Sequence, residues 1–303
     1  MILARLRAEA RDLLELVLLP ALAALLPWRL CFRVFRFLCR ADFLYREYCD
    51  QAFNEASARG WVKIDPAHWR QRCRLVMLVD HADYYLSLSR SDRWMARHVA
   101  ARGAWPDPSQ PAILCTFHWG AGMWALRHLA AHGLRVHLLI APLSRAPFAG
   151  RTVAYWYYRR RIDAIPRALG RAPIEATKSP RPVLRALRAG EQVAAVVDVP
   201  ADQVTASKPI GFLGLRARVP RGLLRVACDS GVPVTVYLLG IRLSDGKRTL
   251  QIHNLGSRSE LEPLIGEVFR YLEAAITEEP AAWHFWSVAQ RFFERTDGSA
   301  GAT

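Results

Sequence analysis

AILCTFHWGAGMWALRHLAAHGLRVHLLI, residues 112–140, decides the architecture of this chain. Ala112 to Phe117 is an apolar run of strand length, and Gly120, Ala121 and Gly122 are small enough for the backbone to turn tightly after it. Met123 to His132 has helical length, Gly133 stands where a left-handed residue caps a helix, and Arg135 to Ile140 is a second apolar run. Strand, helix and strand in that order are the repeating unit of a parallel sheet wrapped by helices.

The same alternation continues outward. Further strands are expected at Gln192 to Val197, Pro233 to Leu239 and Thr249 to His253. Further helices are expected at Arg151 to Arg161, Pro182 to Ala189, Gly222 to Ser230 and Leu261 to Glu278, with Gly190 and Gly231 as caps. The expected fold is α/β: a mostly parallel central sheet flanked by helices, with an N-terminal helical membrane-associating region. Upstream, Pro106 and Pro108 punctuate the chain between Trp105 and Gln110. Before them, Trp69, Cys73, Val76, Met77 and Asp80 recur at intervals of three and four, which predicts an all-helical cap over 42–104 of a unit spanning 42–303.

The N-terminal block from Leu13 to Trp28 is apolar but interrupted by Glu15, and Pro20 and Pro27 are expected to break its helix. It falls short of the roughly 20 uninterrupted apolar residues of a bilayer span. Arg29, Arg33, Arg36 and Arg40 follow at helical spacing among Phe32, Val34, Phe35, Phe37 and Leu38, so 1–41 reads as an interfacial helical anchor with arginines toward lipid phosphates. A core helix with a solvated basic side gives the same pattern.

The chain has 303 residues, 52% of them hydrophobic, and a formal net charge of +15, which calls for an anionic partner surface. Nucleic acid is not expected, because no zinc-finger spacing, aromatic RNA-binding motif or helix-turn-helix is present. An anionic membrane surface fits better. The cysteines Cys31, Cys39, Cys49, Cys73, Cys115 and Cys228 form no C-x-x-C pair and read as buried thiols. The histidines match no H-E-x-x-H spacing, so no metal and no cofactor are expected.

In open parallel sheets, ligands bind beyond the carboxyl ends of the strands. His118 ends one expected strand and Asp198 ends another. Histidine titrates near neutral pH and can accept a proton from an attacking hydroxyl or amine. It can also simply cap the helix that follows. Trp119, Gly120 and Gly122 bring backbone amides near a substrate, and amides from Gly120 to Gly122 are candidates to hold an oxyanion. Arg159 and Arg161 follow the aromatic run Tyr155 to Tyr158, and Arg216 follows a G-F-L-G turn; each suits a phosphate or headgroup, or a solvated basic face. Asp202 either lines the pocket or caps a turn. No G-x-S-x-G elbow points to a hydrolase.

F-H-W-G-A-G-M-W at 117–124, L-R-A-G-E-Q-V-A-A-V-V-D at 187–198, G-F-L-G at 211–214, A-C-D-S-G-V-P-V at 227–234, and Y-L-E-A-A-I with P-A-A-W-H-F-W at 271–286 carry a resemblance. Together, from about Gln71 onward, they resemble the lipid A biosynthesis acyltransferases of the lysophospholipid acyltransferase superfamily. That resemblance implies a peripheral enzyme on the cytoplasmic face of the inner membrane, without metal. It would move a fatty acyl group from acyl carrier protein or acyl-CoA to a hydroxyl or amine of a lipid or glycolipid such as a lipid A precursor. It also implies a His-x4-Asp/Glu motif, but Met123 stands where the acid belongs. Three readings follow: Asp198 replaces the missing acid, His118 works alone, or the protein binds a lipid or a partner without catalysis.

Overall fold

A computed structural model describes residues 2–176 and 179–294; residues 295–303 of the expected 42–303 unit lie outside the described residues. The chain begins with α1 (Ile2–Asp12), a π-helical run at Leu13–Leu18 and α2 (Leu19–Leu25), then α3 (Trp28–Leu38). Pro20 does not break its helix, contrary to the sequence expectation. It lies within a continuous helical run, where the wide π turns before it relieve the usual clash, and the carbonyls of Glu15 and Leu16, left without its N–H, accept instead from Tyr45 Oη at 2.6 Å and Tyr85 Oη at 2.9 Å. Pro27 does break the helix, with Leu26 extended before it (φ −95°, ψ 152°).

Next come α4 (Arg46–Ala58), α5 (Pro66–Ser89) and α6 (Asp92–His98). At the start of α5, the Asp65 side chain caps the His68 amide at 2.9 Å and Pro66 takes the first helical position. The stretch expected to be all helical ends instead in β1 (Val99–Arg102), an edge strand beside the sheet. Only Val99 of its four residues is buried, so no alternation betrayed it.

The rest alternates strand and helix, through the expected β2 (Ala112–Thr116), α7 (Met123–Ala131), β3 (Val136–Ile140) and α8 (Thr152–Asp163), and then through α9 (Ile165–Leu169) and β4 (Ile174–Glu175), which the sequence pattern did not predict. It continues through α10 (Arg181–Arg188), β5 (Gln192–Val196), β6 (Ser207–Phe212), β7 (Leu215–Pro220), α11 (Gly222–Ser230), β8 (Val234–Ile241), β9 (Arg248–Gly256) and α12 (Leu261–Glu278). The seven-stranded sheet has the order β1-β9-β8-β2-β5-β3-β4, and only β8 and β9 pair antiparallel. β2 and β5 lie at its centre and are buried on both faces, which is why they read as continuous apolar runs.

β6 and β7 form a separate hairpin turned by Leu213 (φ +53°) and Gly214 (φ +75°). Two consecutive left-handed residues are what a tight hairpin turn demands, and the buried Leu213 is held there by its amide's bond to Glu273 at 2.8 Å. The N-terminal segment is built into the same core. On α3, Trp28, Cys31, Phe32 and Phe35 are buried. Trp28 stacks on the guanidinium of Arg248, which pairs with Asp83 of α5; both charged side chains are fully enclosed.

Candidate active site

The register of two neighbouring strands creates the site. Thr116 of β2 faces Val196 of β5, so continuing both strands by two residues brings His118 and Asp198 to one level at the carboxyl edge of the sheet. There His118 Nδ1 lies 3.0 Å from Asp198 Oδ1. The Asp198 side chain is 1% exposed and the His118 ring 34% exposed, so the carboxylate is enclosed while the imidazole reaches open space. The backbone amide of His118 also donates to both carboxylate oxygens, at 2.9 and 3.1 Å. Trp283 Nε1 donates to Oδ2 at 2.9 Å. The backbone amide and the indole can only donate, so both carboxylate oxygens accept here, and an imidazole tautomer with its proton on Nδ1 completes the set. With its Nδ1–H directed at Asp198, the imidazole presents Nε2 as its free acceptor.

The C-terminal segment straps this pair in place. His284 N donates to His118 O at 2.8 Å, His284 Nε2 bonds Gly120 O at 2.7 Å, and Tyr48 Oη donates to His284 O at 2.7 Å. The Phe285 ring stacks on His118 with centroids 4.0 Å apart. From sequence, the Trp283 to Trp286 segment reads as packing; in the fold Trp283 and Trp286 are buried, Trp283 also supplies a donor to the carboxylate, and the half-buried Phe285 walls the imidazole.

His118 opens onto a cavity of about 550 Å³. Thr116, Leu138, Val196, Tyr237 and Leu239 form its floor from one face of the sheet, and α5, α7, α8 and α9 wall it with Met77, Leu126, Ile162 and Ile165. Most of this lining is apolar. One wall is polar: Asp80 and Arg161 pair at 2.7 Å, beside His81. Burial alone would raise the Asp80 carboxyl, but the Arg161 charge and hydrogen bond, helped by His284 and His81, hold it well below the ordinary carboxylate range. Burial pushes His81 down to about 3, so its ring is neutral at neutral pH.

Of the residues picked from sequence, His118, Trp119, Gly120, Gly122 and Arg161 line the cavity, and Asp198 stands behind His118. The other three lie elsewhere. Arg159 is two residues from Arg161 on α8, hence on the opposite helix face, where it pairs with Asp163 in solvent. Asp202 pairs with Arg291 on the surface. Arg216 points outward from β7, where Ala217 and Val219 take the inward positions, and pairs with Glu294.

The expected oxyanion donors also need correction. Gly120 N is taken by Ala282 O at 3.0 Å and Ala121 N by Leu239 O at 3.0 Å. Donors without a helical partner begin one residue later, at Gly122 and the first turn of α7, which starts at Met123. Gly120 has a different duty. Its φ is +71°, and a Cβ there would stand 2.2 Å from Leu239 O, so only glycine fits between the strand ends.

Sequence reasoning missed Asp80, His81, Tyr48 and Phe285 as parts of the site. Asp80 carried a usable signal: a charged residue at a position that helical spacing assigns to the core needs a partner. Among the described residues, no helix is long and apolar enough to cross a membrane. Compared with known proteins, the chain matches no family model, and no curated protein matches it significantly.

Proposed function

We propose that this protein is a membrane-associated acyltransferase that moves a fatty acyl group from a thioester donor, acyl carrier protein or acyl-CoA, to a hydroxyl or amine of a lipid or glycolipid acceptor such as a lipid A precursor. The observation that carries the reading is the 3.0 Å contact between His118 Nδ1 and the enclosed Asp198, at the mouth of a largely apolar cavity. Asp198 supplies the carboxylate that the His-x4-Asp/Glu pattern lacks at Met123.

In the proposed reaction, His118 Nε2 takes the proton of the acceptor hydroxyl as its oxygen attacks the thioester carbonyl. Asp198 stabilises the resulting imidazolium. The amides at Gly122 and the first turn of α7 face the developing oxyanion, where the helix dipole also favours negative charge. Collapse of the intermediate breaks the carbon–sulfur bond, and the leaving thiolate takes the proton back from His118. Met77, Leu126, Ile162 and Ile165 offer the acyl chain an apolar wall, worth about 0.8 kcal/mol per methylene buried.

The N-terminal surface supports an interfacial location. Leu3, Leu6, Leu13, Leu18, Leu25, Leu30, Phe37 and Phe43 are all exposed between α1 and the start of α4. Arg29, Arg33, Arg36 and Arg40 are exposed beside them. Exposed apolar side chains rimmed by arginines suit the boundary of an anionic bilayer, where each arginine contributes about 1 kcal/mol. The purified protein, offered acyl thioester donors and lipid acceptors, should release donor thiol in a His118-dependent way. Release that survives His118→Ala would overturn the proposal.

A further inference from the structure

A second recess, separate from the cavity at His118, lies between α5, α7 and α9. It encloses about 250 Å³ and is lined by Ser87, Leu88, Arg90, Arg127, Arg167 and Ala168. Three of these six residues are arginines. We propose that this recess is a binding site for a phosphate group.

Two of the guanidiniums are fixed in advance. Arg90 Nη2 bonds the carbonyls of Ala23, Ala24 and Leu26 at the end of α2, at 3.0 to 3.1 Å, and its buried Nε has no partner. Arg127 Nη1 bonds the carbonyls of Ser87 and Arg90 at the end of α5, Nη2 pairs with Asp92, and the guanidinium lies over the Trp124 ring. Capping of helix ends accounts for these carbonyl bonds. It does not account for Arg167, which brings a third positive charge to the same recess and forms no hydrogen bond or ion pair among the described residues. Among the described residues, Asp92 is the single carboxylate bonded to the cluster, and its side chain is 65% exposed. Three cations against one carboxylate leave an excess of positive charge that a phosphate, at roughly −1.5 to −2, would neutralise through charge-assisted hydrogen bonds.

The location gives the site a use. Ser87 to Arg90 lie six to nine residues beyond His81 on the α5 side, which corresponds to roughly 9 to 14 Å of helix. α7 and α9 likewise contribute to both recesses. A phosphate held here would anchor a long substrate whose apolar part occupies the neighbouring cavity. Two phosphates are chemically suitable: that of a soluble nucleotide-linked thiol donor and that of a lipid headgroup.

The test measures binding alone and so does not depend on acyl transfer. Wild type, Arg167→Ala and Arg216→Ala are titrated at constant ionic strength with inorganic phosphate, with coenzyme A and with vesicles containing phosphatidic acid. Arg216 is exposed on β7, outside the recess, and controls for the loss of one charge from a strongly basic protein. Inorganic phosphate should bind wild type and Arg216→Ala alike, and Arg167→Ala roughly tenfold more weakly. A matching loss with coenzyme A identifies a donor phosphate; a matching loss with vesicles alone identifies a headgroup. Equal phosphate binding by wild type and Arg167→Ala, or an equal loss in Arg216→Ala, would overturn the proposal.

Discussion

Replacing Asp198 by asparagine isolates the charge behind His118 while preserving the shape of the side chain. The carboxylate oxygens accept from three N–H groups: His118 N, His118 Nδ1 and Trp283 Nε1. An amide has one oxygen and an NH2 group that only donates. If its oxygen stays toward His118 Nδ1, the NH2 faces Trp283; if it turns, the NH2 faces the imidazole and favours the tautomer with its proton on Nε2, which cannot act as base. In the first orientation the buried Trp283 N–H loses its acceptor, at about 1–3 kcal/mol, and in both the imidazolium loses the negative charge beside it. General base catalysis is typically worth about 10² to 10⁴-fold, so kcat should fall by that factor, or roughly 2.7–5.4 kcal/mol. KM should move less, because Asp198 lies behind His118 rather than on the cavity wall. Steady-state thiol release from an acyl thioester donor, with thermal melts to confirm folding, measures both. Met123 lines the cavity at the start of α7, where a helix N-terminus favours an acid. On the Asp198→Asn background, Met123→Glu should therefore restore part of the rate. If Asp198→Asn turns over like wild type while His118→Ala is inactive, Asp198 is not the partner and the reasoning fails.

Trp283→Phe keeps a buried aromatic ring but removes the donor to Asp198 Oδ2, so kcat should drop roughly tenfold; an unchanged kcat would leave Trp283 a packing residue only. Gly120→Ala should lower the melting temperature by several degrees or prevent folding, since its Cβ meets Leu239 O; a melt within a degree of wild type would contradict the close approach. Burial holds His81 at about 3 and, with the nearby His132 charge, His128 at about 4, both down from 6.5. Between those values and about 6.5 the unfolded chain binds protons that the folded chain excludes, so stability is full above pH 6.5 and should fall as pH drops toward 4. Melting temperatures that stay flat over that range would count against the buried neutral histidines. Leu25→Glu and Phe37→Glu should weaken sedimentation with anionic vesicles, whereas a truncation to Asp42 would also remove the buried Trp28, Phe32 and Phe35 and is not a clean test; binding unaltered by both point changes would place the contact elsewhere.

The sequence by itself determined the main alternation of strands and helices from Ala112 onward, because the central strands and the longer helices there carry their own local signal. β2 and β5 are unbroken apolar runs that both faces of the sheet require, α12 has the bounds Leu261–Glu278 expected from its pattern, and Gly133, Gly190 and Gly231 adopt positive φ at helix ends as such caps do. His118 and Asp198 were both legible as polar residues ending adjacent apolar runs. Their contact was not, because it depends on β2 and β5 being neighbours in register, a pairing between residues 80 apart in the chain. The edge strands β1 and β4 and the β6–β7 hairpin left too little alternation to read. Tertiary structure alone also decided which arginines face the cavity. Arg159, Arg161 and Arg216 look alike in sequence, but helix rotation and strand alternation send only Arg161 inward, where Asp80 of α5, some 80 residues earlier, meets its charge. Local patterns fix which elements form, since they report each residue's own surroundings. Which side chains meet is set by the packing of elements far apart in sequence, and that information resides in no single stretch of the chain.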